Sequence, residues 1–156
     1  MAERLVCRLM RVITGTARGR KLQTLDGFDV RPTTEVVKEA VFSVIQFVVF
    51  GSSVLDLFAG SGQMGIEALS RGAQKVTFVD NFRPSQEIIK QNLLSTGFTK
   101  QAKVLAEEAA LFLAHAVEKY DIIFLDPPYN QGYADKLLPL LGKPLSDDGF
   151  ILFEHE

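Results

Sequence analysis

The sequence predicts an α/β fold, a parallel sheet with helices on both faces, and three observations carry that expectation. Short apolar segments of strand length alternate five times with segments of helical periodicity. A glycine turn, Ala59-Gly-Ser-Gly62, follows the first of these strands directly. Two consecutive prolines, Pro127 and Pro128, follow the fourth and fix the backbone where the strand ends.

The elements follow in order. Residues 11–15 and 21–25 read as short strands joined by Ala17-Arg18-Gly19-Arg20, a hairpin with cationic side chains at its tip. Pro32 holds Arg31 extended, and Thr33 or Thr34 can cap the next helix. Val37, Ala40, Val41, Val44 and Ile45 recur at i, i+3, i+4, i+7 and i+8, which predicts a helix of about four turns that buries this face. Residues 53–57 form a strand, and 63–71 a helix that Gly72 ends. The second strand is 75–80, and Pro84 occupies the first turn of a helix running to about Leu94. Strand 103–105, helix 108–118, strand 121–125, helix 134–141 and strand 150–153 complete the series. With no repeat or linker, residues 1–156 read as one domain, a basic arm and hairpin over 1–31 and a core over 32–156.

Composition narrows the possibilities. With 47% hydrophobic and 23% charged residues the chain is neither disordered, collagen-like nor a coiled coil. Cys7 stands alone, so no disulfide framework, no Cys-rich zinc site and no metal is expected. No apolar run is long enough to span a bilayer, and Arg4 and Arg8 interrupt any signal-peptide core; a soluble, cytoplasmic monomer is expected. The net charge of −2 speaks against a nucleic-acid partner until its distribution is seen. Residues 1–21 hold six bases and one acid, whereas the remainder holds 11 bases and 18 acids. A basic arm on an acidic body suits a chain that grips an anionic polymer.

The two special turns carry the chemistry, because parallel sheets bind ligands at the carboxyl ends of their strands. Gly60 and Gly62 remove side chains where the backbone turns tightly toward a ligand. Asp80 ends the next strand, 20 residues past Gly60, where a carboxylate can hold both hydroxyls of a ribose. The spacing Gly60-x-Gly62-x-x-Gly65 also satisfies the dinucleotide fingerprint. Asp56 at the strand end is awkward beside a phosphate, and a cationic ligand suits it better. In Asp126-Pro-Pro-Tyr129 the Asp126 carboxylate and the Pro127 carbonyl can each accept a hydrogen from an exocyclic amine, and Tyr129 can stack on the base that carries it.

Asp56-Leu-Phe-Ala-Gly-Ser-Gly62, Asp80 and Asp126-Pro-Pro-Tyr129 resemble the motifs of class I S-adenosylmethionine-dependent amino-methyltransferases. Met10-Arg-Val-Ile-Thr-Gly15, Arg18-Gly-Arg-Lys21, Arg31-Pro-Thr33 and Glu67-Ala-Leu-Ser-Arg-Gly72 narrow the resemblance to the bacterial RsmD-like family, which methylates guanine N2 in 16S ribosomal RNA. It covers residues 10–156. It implies a Rossmann-like class I methyltransferase sheet preceded by an N-terminal β-hairpin, with S-adenosyl-L-methionine as cofactor. Asp56, Phe58, Gly60, Gly62, Asp80 and Glu108 would lie along that cofactor, although the family often places an Asp where Glu108 stands. Asp126, Pro127 and Tyr129 would hold the target base, and Arg18, Arg20, Lys21 and Arg31 would meet RNA phosphates. The partner would be 16S ribosomal RNA or an assembling small subunit. The family's sheet normally finishes with a sixth and a seventh strand, and the sequence reading predicts that both are missing here. Three other readings share parts of the pattern: a DNA adenine-N6 methyltransferase, an inactive cofactor-binding scaffold, and a nicotinamide oxidoreductase, which would leave Asp126 to Tyr129 without a role.

Overall fold

The computed structural model describes residues 10–25, 35–128 and 131–154. Strands β1 (Met10–Arg11) and β2 (Lys21–Leu22) pair antiparallel as the expected hairpin. The parallel sheet is built from β3 (Ser53–Leu57), β4 (Lys75–Val79), β5 (Ala102–Leu105), β6 (Tyr120–Leu125) and β7 (Leu145–Phe153), in the spatial order β5-β4-β3-β6-β7. The helices are α1 (Glu35–Val44), α2 (Gln63–Ser70), α3 (Arg83–Thr96), α4 (Ala109–His115) and α5 (Tyr133–Leu141). From β3 the chain winds outward to β4 and β5, then returns to β6 on the other side. The topological switch point therefore lies between the carboxyl ends of β3 and β6.

Strand alternation sends Val54, Val76, Phe78, Ile122 and Phe124 to one face, where they meet Phe42 and Ile45 from the α1 segment, Ile66 of α2 and Ile89 of α3. Leu55, Leu57, Val79, Ile123 and Leu125 face the other way, against α4 and α5. Strands covered on both sides are largely apolar, which is why β6 runs apolar from Ile122 to Leu125, while β3 carries one buried carboxylate, Asp56.

Two expectations are corrected. The strand count is one: seven strands form among the described residues, two in the hairpin and five in one parallel sheet whose last strand is β7, with β6 and β7 the sixth and seventh in chain order. β7 also begins at Leu145 rather than at residue 150. Leu145 pairs with Tyr120 while Phe150 pairs with Ile122, so Ser146-Asp-Asp-Gly149 is an irregular insert whose polar sequence hides the strand. The second correction concerns α1, which has ten residues, fewer than expected. Its inward residues are Lys38 and Phe42, followed by Ile45 beyond its end, whereas Val37 and Val44 are 39% and 69% exposed. The helix turns a lysine inward because the ammonium finds acceptors there: Lys38 Nζ donates to the Arg11 carbonyl at 2.8 Å and lies 4.0 Å from Glu67.

Candidate functional site at the switch point

The β3–α2 turn is the centre of the site. Phe58 adopts φ +57°, Gly60 +59° and Gly62 +80°. A side chain at Gly60 would meet nothing within 4 Å, so this stretch of backbone lies open to an approaching group. Gly62 instead backs onto the core, and a Cβ there would come within 3.2 Å of Ile89. Gly65 has a packing reason: its missing side chain lets α2 lie on the sheet, where a Cβ would stand 2.3 Å from the Phe78 ring.

Two carboxylates pin this turn. Asp80 accepts the Gly60 N–H at 2.9 Å and the Phe82 N–H at 2.9 Å, so one side chain joins the glycine turn to the end of β4. Asp56 is buried and accepts the Gly65 N–H at 3.1 Å. Gly62 offers α2 no side-chain cap, and Asp56 supplies an acceptor to the first turn from the neighbouring strand. Burial pushes the Asp56 carboxyl well above the ordinary carboxylate range, against the Gly65 hydrogen bond, with Asp126 and Asp80 adding repulsion. Asp80 is raised too, chiefly by burial.

Asp126 follows β6, with Pro127 buried behind it and Pro128 exposed. Burial, then the charge of Glu154 and a hydrogen bond with it, push Asp126 up to about 6. A cavity of about 300 Å³ opens beside it, walled by Val37, Val41, Met64 and Leu152. Phe58 stands half-buried on the opposite side of the sheet, edge-on to Tyr133 with ring centres 5.1 Å apart. Glu108 is exposed at the N-cap of α4 and makes no cap hydrogen bond. Arg18, Arg20 and Lys21 are exposed around the hairpin turn. Tyr129 and Arg31, with the Thr33 and Thr34 caps, lie outside the described residues.

Sequence reading missed the residues that dock the hairpin beside the site. Glu67, fully buried, accepts the Ile13 and Thr14 N–H groups at 2.9 and 3.1 Å and pairs with Arg71 at 2.9 Å. Asn92 of α3 accepts the Gln23 N–H and donates to the carbonyls of Gln23 and Ser61, so it ties the strand after the basic turn to the glycine turn. It missed Glu154 as well, although period-two alternation from Phe150 and Leu152 puts position 154 on the face of Asp126.

A switch-point glycine turn, acids at the ends of β3 and β4 and an Asp-Pro-Pro turn after β6 define a class: an α/β domain of the class I methyltransferase kind. A family model described as "Conserved hypothetical protein 95" matches residues 10–156, and the chain belongs to that family, the RsmD-like family its motifs resemble. Among its relatives, YlbH of Bacillus subtilis (strain 168) is 44% identical over 153 residues, covering 94% of this chain and 83% of that protein. Ribosomal RNA small subunit methyltransferase D of Escherichia coli (strain K12) is 39% identical over 150 residues, covering 94% and 75%. The solved structure of yhhF from Escherichia coli superposes with a TM-score of 0.78 at 36% identity, covering 92% of this chain and 76% of that one.

Proposed function

We propose that this protein transfers a methyl group from S-adenosyl-L-methionine to the exocyclic N2 amine of a guanine in small-subunit ribosomal RNA. The observation that carries the reading is the adjacency, at the switch point, of a glycine turn pinned by Asp80 to the half-buried carboxylate of Asp126. The residues present fit a cationic cofactor. Backbone at Gly60 is open, Asp56 and Asp80 are anionic or can become so, and the buried amide oxygen of Gln63 in the first turn of α2 has no hydrogen-bond partner among the described residues. Asp80 would hold hydroxyls with the lone pairs left by Gly60 and Phe82, and Asp56 would sit near the ammonium.

When bound, the cofactor supplies an electrophilic methyl on a sulfonium. Asp126 and the Pro127 carbonyl accept the two amine hydrogens, which draws the nitrogen toward a tetrahedral geometry and frees its lone pair from the ring. That lone pair would be the nucleophile for the methyl the cofactor supplies, with Asp126 and the Pro127 carbonyl holding the nitrogen in place. The amine becomes acidic as positive charge develops, and Asp126, with its proton affinity already raised, accepts the proton. Both acceptors are fixed before reaction, one by a strand end and one by a proline backbone, so they stabilise this charge without reorganising. The base leaves its stack to enter the pocket, and Tyr129 would stack on it. Arg18, Arg20, Lys21 and Arg31 would hold phosphates, which brings a polyanion to a body that is otherwise acidic.

Mapping N2-methylguanosine in ribosomal RNA from cells with and without the protein tests this reading. One guanine loses its mark if the reading is right; unchanged marks would end it. Asp126→Ala should abolish turnover yet bind cofactor as the parent does, by calorimetry. Lost cofactor binding in that variant would mean that Asp126 supports the cofactor rather than the base.

A further inference from the structure

The residue after β7 occupies the position on its strand that Asp126 occupies on β6. Leu125 and Phe153 are register partners in adjacent parallel strands, so Asp126 and Glu154 leave the sheet side by side and toward the same face. The backbone enforces this placement, because the Glu154 N–H donates to the Leu125 carbonyl at 3.1 Å. Both carboxyls line the same cavity, between the apolar side chains of Val41, Met64 and Leu152. The two interact directly, Asp126 half-buried and Glu154 exposed beside it, and their charges repel.

Two acceptors set side by side by adjacent strands suit a ligand edge with two neighbouring N–H donors. Guanine offers such an edge, N1–H beside the N2 amine. Adenine offers one amine beside N1, a lone-pair acceptor that a carboxylate would face without a hydrogen. We propose that Glu154 accepts the N1–H of the target base while Asp126 holds its N2 amine, and that Glu154 is thereby the residue that selects guanine. The inference rests on the guanine-N2 reading above and adds to it the group that reads the base. Discrimination follows from the unpaired acceptor: a site built to bond an N–H strongly rejects a base lacking it.

The test uses small subunits reconstituted from unmodified 16S ribosomal RNA, with the mapped guanosine either retained or replaced by 2,6-diaminopurine riboside, which keeps the N2 amine but turns N1 into an acceptor. The parent protein methylates guanine about 10- to 100-fold faster in kcat/KM, the span of one hydrogen bond to a charged group. Glu154→Gln, whose amide can donate as well as accept, narrows that preference to within a few-fold. Glu154→Ala lowers the guanine rate by the same 10- to 100-fold and leaves diaminopurine nearly unchanged. Thermal melting and cofactor calorimetry at parental values show that either variant is folded. An undiminished guanine preference in Glu154→Ala would overturn the role alone. So would a shifted pH profile with unchanged base preference, because Glu154 would then act only through Asp126. Label on any atom other than guanine N2 in the parent protein would overturn the underlying reading as well.

Discussion

Glu67→Ala tests how the hairpin is held on the core. Glu67 is wholly buried and serves four groups: the Ile13 and Thr14 N–H donors, the Arg71 guanidinium, and the Lys38 ammonium 4.0 Å away. Truncation strands two backbone donors and leaves Lys38, 1% exposed, without its counter-charge; Arg71 retains some exposure and can rehydrate in part. Removing one partner of a buried ion pair costs about 3–5 kcal/mol, and each stranded donor about 1–3, contributions that overlap rather than add. A total near 4 kcal/mol corresponds, for a chain of this size, to a fall in Tm of roughly 8–16 °C. Burial already lowers the Lys38 pKa, and Glu67 opposes that shift. Without Glu67 the lysine sheds its proton more readily, so the unfolded state binds more protons and stability rises with pH. Urea unfolding of parent and variant at pH 7 and pH 9 measures both effects. The expected result is a large deficit at pH 7 that narrows at pH 9. A deficit no larger than the roughly 0.5 kcal/mol of a surface substitution would refute the reasoning, and an equal deficit at both pH values would refute the part assigned to Lys38.

Four further predictions concern the site. Replacing Arg18, Arg20 and Lys21 together by alanine should weaken RNA binding and flatten its salt dependence by about 0.7–0.9 in log–log slope per lost phosphate contact; filter binding from 50 to 300 mM salt reads this, and an unchanged slope removes the hairpin from the interface. Gly65→Ala should destabilise by about 1–3 kcal/mol through the clash with Phe78. Gly60→Ala, with open space around its Cβ, should pay mainly the roughly 1–2 kcal/mol of a left-handed backbone while losing cofactor affinity, and differential calorimetry with and without cofactor separates the two. The rate of methyl transfer should rise as pH passes about 6 and level off above it, as Asp126 ionises; a flat profile from pH 5 to 8 would contradict its role as acceptor.

The parts of this site legible in the sequence are those where local backbone chemistry allows few residue types. Gly60 stands at positive φ, Pro127 fixes a strand end, and Asp80 and Asp126 directly follow the largely apolar strands β4 and β6, whereas Asp56 lies within β3. The parts that stayed hidden depend on partners far away in sequence. Glu67 reaches Ile13 across 54 positions, and Asn92 reaches Gln23 across 69, so neither leaves a local pattern. Lys38 misled the helical reading outright, because the period counts apolar side chains and cannot foresee a buried ammonium whose acceptors come from other elements. Ser146-Asp-Asp-Gly149 concealed the start of β7 for a related reason: its residues bulge between two register partners instead of alternating.

Three acids with raised proton affinity, Asp56, Asp80 and Asp126, converge at neighbouring strand ends. Such a cluster opposes folding, because each unfolded carboxyl ionises near 3.8 while its folded counterpart holds the proton longer. For Asp126 the sign is definite: below about 3.8 both states are protonated and nothing is lost, and the destabilisation builds as pH rises to about 6 and is constant beyond. The parent should therefore lose stability relative to Asp126→Asn between pH 4 and 6, and urea unfolding across that range measures the difference. A parent that gains on the variant as pH rises would mean that Asp126 is stabilised as an anion, contrary to its burial beside Glu154. On the proposed reading, a bound cationic ligand would offset the repulsion within this cluster. Binding a sulfonium and an ammonium at these strand ends should release protons and stabilise the fold more at pH 7 than at pH 5, since only at the higher pH does the ligand meet the full negative charge. On the proposed reading, an acidic body with a basic hairpin would serve two partners of opposite sign, a division the net charge of −2 averages away.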